Sequence, residues 1–142
     1  MISIEMNLTL LPIFLGFYTI FYILLAMRIG YMRGSPVMQL FFKMDGEITE
    51  KKLNRNIRAH GNFSEYVPLF FILLLTLEII SNTSFAYLLA ACVIFTYGRL
   101  AHALCFAFYD YSPFLRISGM VATYIGLVML AIQCLLYFFN NI

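Results

Sequence analysis

Arg58, Asn62 and Glu65 can do chemistry together if they share one helix face, and their spacing puts them there. Each helical residue turns about 100°, so Asn62 lies about 40° from Arg58 and Glu65 about 20° to the other side. Arg55 extends this stripe and Tyr66 flanks it. Arg99 and His102, with Phe106, share another face at i, i+3, i+7 and form a second polar stripe. Arg116 follows a turn later in the chain. Two internal carboxylate–guanidinium pairs would only fasten helices, and Arg58–Glu65 is one such candidate. Yet Arg58, Arg99 and Arg116 outnumber Glu65, so guanidinium groups are left over. A guanidinium presents a planar fork to a carboxylate, and one acid among them suits an ammonium. The constellation fits a zwitterionic small molecule with more than one carboxylate.

These charges sit beside strongly apolar sequence. The 142 residues are 63% hydrophobic and 11% charged, where soluble domains carry about 25% charged residues. An integral membrane protein is expected, and a soluble helical domain is not. A charge at the bilayer centre costs roughly 2.5–3.5 kcal/mol on insertion scales. Polar residues running straight into the block 69–77 therefore mark a site where protein meets the membrane.

The elements that must position the site read as four spanning helices in a single all-α membrane domain over 1–142, at about 7–27, 57–80, 85–109 and 115–139. The first span has no preceding basic residue and no small-residue cleavage site, so it reads as an uncleaved span. About 20 apolar residues at about 1.5 Å each cross the hydrocarbon layer. Turn signals at Gly34-Ser35-Pro36 and Asp45-Gly46 break the linker 34–54, with an interfacial patch at 38–42. The polar run 47–58 begins the second helix, and Pro68 predicts a kink or a freed carbonyl near Ser64. Glu78 reads as an interface carboxylate. The turn Ser81-Asn82-Thr83-Ser84 makes helices two and three antiparallel neighbours, with Asn82, Thr83 or Ser84 as the cap.

Seven of the nine Lys and Arg lie between Arg28 and Arg58. The positive-inside rule then puts the first and third loops in the cytoplasm and both termini on the opposite side. The basic segment carries no aromatic-interleaved repeat, so nucleic acid is not an expected partner. Cys92, Cys105 and Cys134 lie in apolar runs without metal-ligand spacing and read as small buried hydrophobes. His60, about 200° from Arg58, faces away from the stripe and reads as an interhelix hydrogen-bonding residue. His60 and His102 are the only histidines, and their offset depths speak against a haem between them. No metal cluster, phosphate loop or nucleophile elbow is present in the sequence.

The run Arg58-Ala59-His60-Gly61-Asn62-Phe63-Ser64-Glu65-Tyr66-Val67-Pro68, with Gly98-Arg99-Leu100-Ala101-His102-Ala103, resembles the MAPEG family, the membrane-associated proteins in eicosanoid and glutathione metabolism, in a microsomal glutathione transferase-like form. The resemblance covers nearly the whole chain. It implies a homotrimer of four-helix subunits with glutathione bound between neighbours near the cytoplasmic side. It implies transferase or peroxidase chemistry on a lipophilic electrophile entering from the bilayer. By motif position Arg28, Arg58, Asn62, Glu65 and Tyr66 would contact glutathione, and His102 falls at a site histidine. Arg99 would support the site, and Arg116 would stabilise the glutathione thiolate. Phe106 stands where eicosanoid-forming members carry a tyrosine, whose hydroxyl Tyr109 or Tyr111 would have to supply, and Gly61 replaces a basic residue of some members. A general detoxifying transferase is the reading. The alternative is a non-catalytic glutathione-binding or regulatory protein of the same fold.

Overall fold

A computed structural model describes residues 8–41, 43–44, 46–80, 83–109 and 112–142. Four helices follow one another: α1 (Leu10–Met32), α2 (Glu50–Ile80), α3 (Phe85–Ala107) and α4 (Pro113–Asn140). All four are long and apolar enough to cross a membrane, and the fold is a four-helix membrane bundle. Among the described linker residues there is one 3-10 turn, Met38–Leu40, within the stretch read as an interfacial patch.

Helix α3 is the central one. In its most apolar stretch 56% of residues are buried, against 22–28% in the other three. Its small residues explain this. A methyl group on Gly98 would lie 2.6 Å from the Thr123 nitrogen and 2.8 Å from the Gly119 carbonyl. One on Gly119 would lie 2.9 Å from the His102 nitrogen. The α3 and α4 backbones thus touch, which is how helices gain dispersion contact where lipid removes the hydrophobic drive. Helix α2 packs on α1, α3 and α4. Its core is aromatic: the Phe70 and Phe95 rings stack at 3.9 Å, and buried Tyr18 donates to Thr96 Oγ1 at 3.1 Å.

Helix ends carry groups that the helix itself leaves without partners. At the start of α1, Thr9 does not cap with its side chain. Glu78, near the end of α2, does so instead, accepting from the backbone nitrogens of Leu10 at 2.7 Å, Leu11 at 3.1 Å and Thr9 at 3.3 Å. The Thr9 hydroxyl donates to it as well, at 3.2 Å. Pro12, next in line, has no N–H to satisfy. Glu78, read as an interface carboxylate, is therefore also the cap of a neighbouring helix, a role invisible without the α1–α2 pairing. Ser84 caps α3 by accepting from the Tyr87 nitrogen at 3.3 Å; Asn82 lies outside the described residues. Helix α2 runs unbroken through Pro68, which has no N–H to offer the Ser64 carbonyl.

Candidate functional site

The first turns of α2, the last turns of α3 and the start of α4 meet at one end of the bundle, together with the end of α1. Arg58 and Glu65 are exposed there, and Asn62 and Tyr66 are half-buried on the same side of α2. The Asn62 amide folds back onto its own helix, donating to the Arg58 carbonyl at 3.1 Å.

Arg99 joins the two polar stripes. It is 1% exposed, yet its guanidinium donates to the Asn62 carbonyl at 3.0 Å and lies 4.8 Å from the centre of the Tyr66 ring. A second nitrogen reaches the Met120 sulfur at 4.0 Å, and Nε has no partner. A buried guanidinium held by one carbonyl and one ring is costly. It acts as a strut that fixes the backbone at Asn62 and the plane of Tyr66, which also approaches Tyr124 at 6.1 Å. His102, 4% exposed, packs on the Phe106 ring at 4.9 Å. Small Gly119 leaves room for its backbone. Arg116 is exposed, with its guanidinium 5.9 Å from the same Phe106 ring.

Arg28 is not gathered into the Arg58–Glu65 stripe. Within the subunit its Nε donates to Asn56 Oδ1 at 2.8 Å, another nitrogen to the Ala107 carbonyl at 3.1 Å, and the guanidinium stacks on Phe108 at 4.2 Å. Two residues that sequence reasoning did not assign to the site take part here. Asn56, 3% exposed, holds Arg28 and donates to the Lys52 carbonyl at 2.8 Å. A signal was available: Asn56, Ala59 and Phe63 fall at i, i+3, i+7, so a polar residue sits in phase with core positions. Arg55, read only as an extension of the stripe, turns instead toward α3, where it donates to the Cys105 carbonyl at 2.7 Å and to the Tyr109 carbonyl. The Tyr109 side chain is exposed; Tyr111 lies outside the described residues.

His60 points away from the stripe, as its phase predicts. It meets the Tyr22 ring of α1 at 4.5 Å, and its buried Nε2 has no hydrogen-bond partner, so it serves packing rather than interhelix bonding. Cys92 and Cys105 are buried and Cys134 is half-buried, all as free thiols. Among the described residues no three His, Cys, Asp or Glu side chains gather as a metal site would require.

Cavities follow the charges. Pockets of about 310, 240 and 530 Å³ all have Arg55 in their walls, joined by Lys51 and Lys52, by Phe106 and Arg116, and by Lys51 and Arg58 respectively. A fourth, of about 280 Å³, is apolar and lies between α1 and α2, walled by Tyr18, Tyr22, Phe63 and Phe71. The basic end thus offers cationic hollows suited to carboxylates.

The model of the MAPEG family matches residues 11–136, nearly the whole chain. No curated protein and no solved structure matches it.

Proposed function

Since the chain belongs to the MAPEG family, a membrane family of glutathione and eicosanoid metabolism, we propose that it is a glutathione transferase, with peroxidase capacity, acting on lipophilic electrophiles. The observation that carries this reading is the Arg99 junction. One buried guanidinium ties the Asn62 backbone to the Tyr66 ring, while Arg58 and Glu65 on the same helix stay exposed. A protein that needed these charges only for cohesion would have spent them on one another. Glutathione has two carboxylates and one ammonium, which match Arg58 and its basic neighbours on one side and Glu65 on the other.

In this reading Arg58, Asn62, Glu65 and Tyr66 bind and orient glutathione, and buried His102 backs the Phe106 ring that walls the pocket. Arg28 would reach glutathione of a neighbouring subunit in a homotrimer, exchanging its Ala107 carbonyl for a ligand carboxylate. The reacting group is sulfur. A free thiol has a pKa of about 8.5, and a nearby cation stabilises the thiolate. Arg116, permanently charged and exposed at the pocket rim, supplies that cation. The thiolate's electron pair then forms the new S–C bond with the electrophile, and the leaving group departs with its bonding pair. With a hydroperoxide, the thiolate attacks the terminal oxygen, the O–O bond breaks, and the alkoxide leaves with the bonding pair and takes a proton from water to become the alcohol. The glutathione sulfenic acid so formed then reacts with the thiol of a second glutathione, giving the disulfide and water. The electrophile arrives from the bilayer. Phe106 brings no hydroxyl to the site, which favours general detoxification over eicosanoid synthesis. The basic end faces the cytoplasm, where glutathione is abundant, and the termini face the opposite side.

The test is conjugation of glutathione to an aryl halide by purified protein in lipid, with binding measured separately by calorimetry. Arg116→Ala is expected to keep glutathione affinity within about threefold but to lose the thiolate ultraviolet band and about tenfold or more in kcat, since one pKa unit of lost stabilisation is a factor of ten. An unchanged band removes Arg116 from the chemistry. Binding without turnover in the wild type supports the non-catalytic reading instead.

A further inference from the structure

Arg55 belongs to none of the glutathione contacts proposed above, yet it walls three cavities at the basic end. Its bonds lead elsewhere. It crosses from α2 to the final turn of α3 and donates to the carbonyls of Cys105 and Tyr109. Those carbonyls stand where the helix has run out of N–H donors, and a cation at a helix C-terminus also meets the negative end of its dipole. From Cys105 the connection continues. The Cys105 thiol donates to the Ser112 carbonyl at 3.3 Å, and the Arg116 backbone N–H donates to that same carbonyl at 3.1 Å. Hydrogen bonds on the carbonyl and thiol of Cys105, and the Ser112 carbonyl it shares with Arg116, therefore link the Arg55 guanidinium to the backbone of Arg116.

A second connection runs through side chains. Arg55 and Arg116 both approach the Phe106 ring, with guanidinium carbons 5.6 and 5.9 Å from its centre. Arg55, Cys105, Phe106, Ser112 and Arg116 together line one pocket of about 240 Å³.

We infer that Arg55 is a positioning residue for Arg116, fixing the end of α3 and the start of α4 so that the Arg116 guanidinium lies over Phe106 at the pocket. This rests on the reading that Arg116 serves the sulfur, and it deepens that reading by naming what aims Arg116. Arginine suits position 55 because one of its nitrogens serves both carbonyls while the planar guanidinium lies against a ring; a lysine could keep a carbonyl bond, but its compact ammonium lacks that planar face. Small displacements at a reacting group are expensive, about a hundredfold in rate for about 1 Å in unfavourable cases.

The experiment compares Arg55→Lys, Arg116→Ala and the double variant in lipid-reconstituted protein, with Cys105→Ala as a second interruption of the link. Arg55→Lys is expected to raise the pH midpoint of the bound-thiolate band by about one unit, a tenfold change, with KM for glutathione within about threefold of wild type. In the double variant the loss should equal that of Arg116→Ala alone, because Arg55 acts through Arg116; independent sites would add. Cys105→Ala should move the midpoint in the same direction by less, and Cys105→Ser, which keeps a donor, should restore it. A readout without glutathione accompanies these: modification of Arg116 by an α-dicarbonyl reagent, followed by peptide mass spectrometry. Release of Arg116 from Phe106 in Arg55→Lys should speed that modification several-fold. Additive losses in the double variant, or an unchanged modification rate, overturn the inference. If wild-type protein binds no glutathione, the functional reading falls, and the modification rate still decides whether Arg55 positions Arg116.

Discussion

The two ends of the bundle use opposite charges on the same physical problem, and among the described residues only one end has charge to spare. At the Glu78 end, a carboxylate of α2 meets the N–H groups that open α1, accepting from three backbone nitrogens and one hydroxyl. At the other end, guanidinium groups of α1 and α2 meet the carbonyls that close α3: Arg28 on Ala107, Arg55 on Cys105 and Tyr109. Anion at an N-terminus and cation at a C-terminus is the arrangement the helix dipole favours. The difference lies in what remains. Glu78 is consumed by the α1 cap. At the basic end Arg58, Arg116 and Glu65 stay exposed after the helix ends are satisfied. A polar group absorbed by the fold speaks of stability, and a polar group left over beside a membrane speaks of a ligand.

That contrast can be broken at several points. The largest expected effect is on the seam that holds α3 and α4 at the basic end. Gly98→Ala places a methyl group 2.6 Å from a backbone nitrogen and 2.8 Å from a backbone carbonyl, which no side-chain movement relieves. We expect a loss of about 3 kcal/mol, at the upper end for overpacking, together with loss of glutathione binding, measured by thermal unfolding in detergent and by calorimetry. Glu78→Ala should cost about 2 kcal/mol, as losing a strong N-cap does, and leave glutathione affinity unchanged. A binding defect there would mean that the two ends are not separable.

Arg99→Met sharpens the comparison further. Replacing a poorly paired buried charge with an apolar side chain is often neutral or stabilising, so thermal stability should hold within about 1 kcal/mol. Glutathione affinity should nevertheless fall about tenfold or more, because Asn62 and Tyr66 lose their strut. Lost stability with intact binding would make Arg99 an ordinary structural residue. The smallest effect on stability belongs to Arg58→Ala and Glu65→Ala, within about 0.5 kcal/mol as for other exposed positions. Both should still abolish measurable glutathione binding, and retained binding in both would sink the site assignment.

The bundle was largely legible in the residues. Four apolar runs, a short second turn and a basic first loop are local facts of composition; against expected spans of 7–27, 57–80, 85–109 and 115–139 the helices run Leu10–Met32, Glu50–Ile80, Phe85–Ala107 and Pro113–Asn140. The i, i+4, i+7 stripe of Arg58, Asn62 and Glu65 was legible for the same reason, since phase along one helix needs no partner. His60 turned away from it was equally so. The roles of Glu78, Arg28, Asn56 and Arg55 were not. Each acts on a different helix, across 28 to 79 positions of sequence.

By itself, then, the sequence determined the class and the family, and it put Arg58, Asn62 and Glu65 in one helical phase, because hydropathy and helical phase are properties of neighbouring residues. The tertiary structure decided which charges are free. A guanidinium has the same chemistry wherever it stands in the chain, and whether it meets a helix-end carbonyl depends on how four helices pack. Close approach of α3 to α4 through Gly98 and Gly119, and of α2 to the end of α3 through Arg55, fixes that packing. It leaves Arg58, Glu65 and Arg116 facing outward.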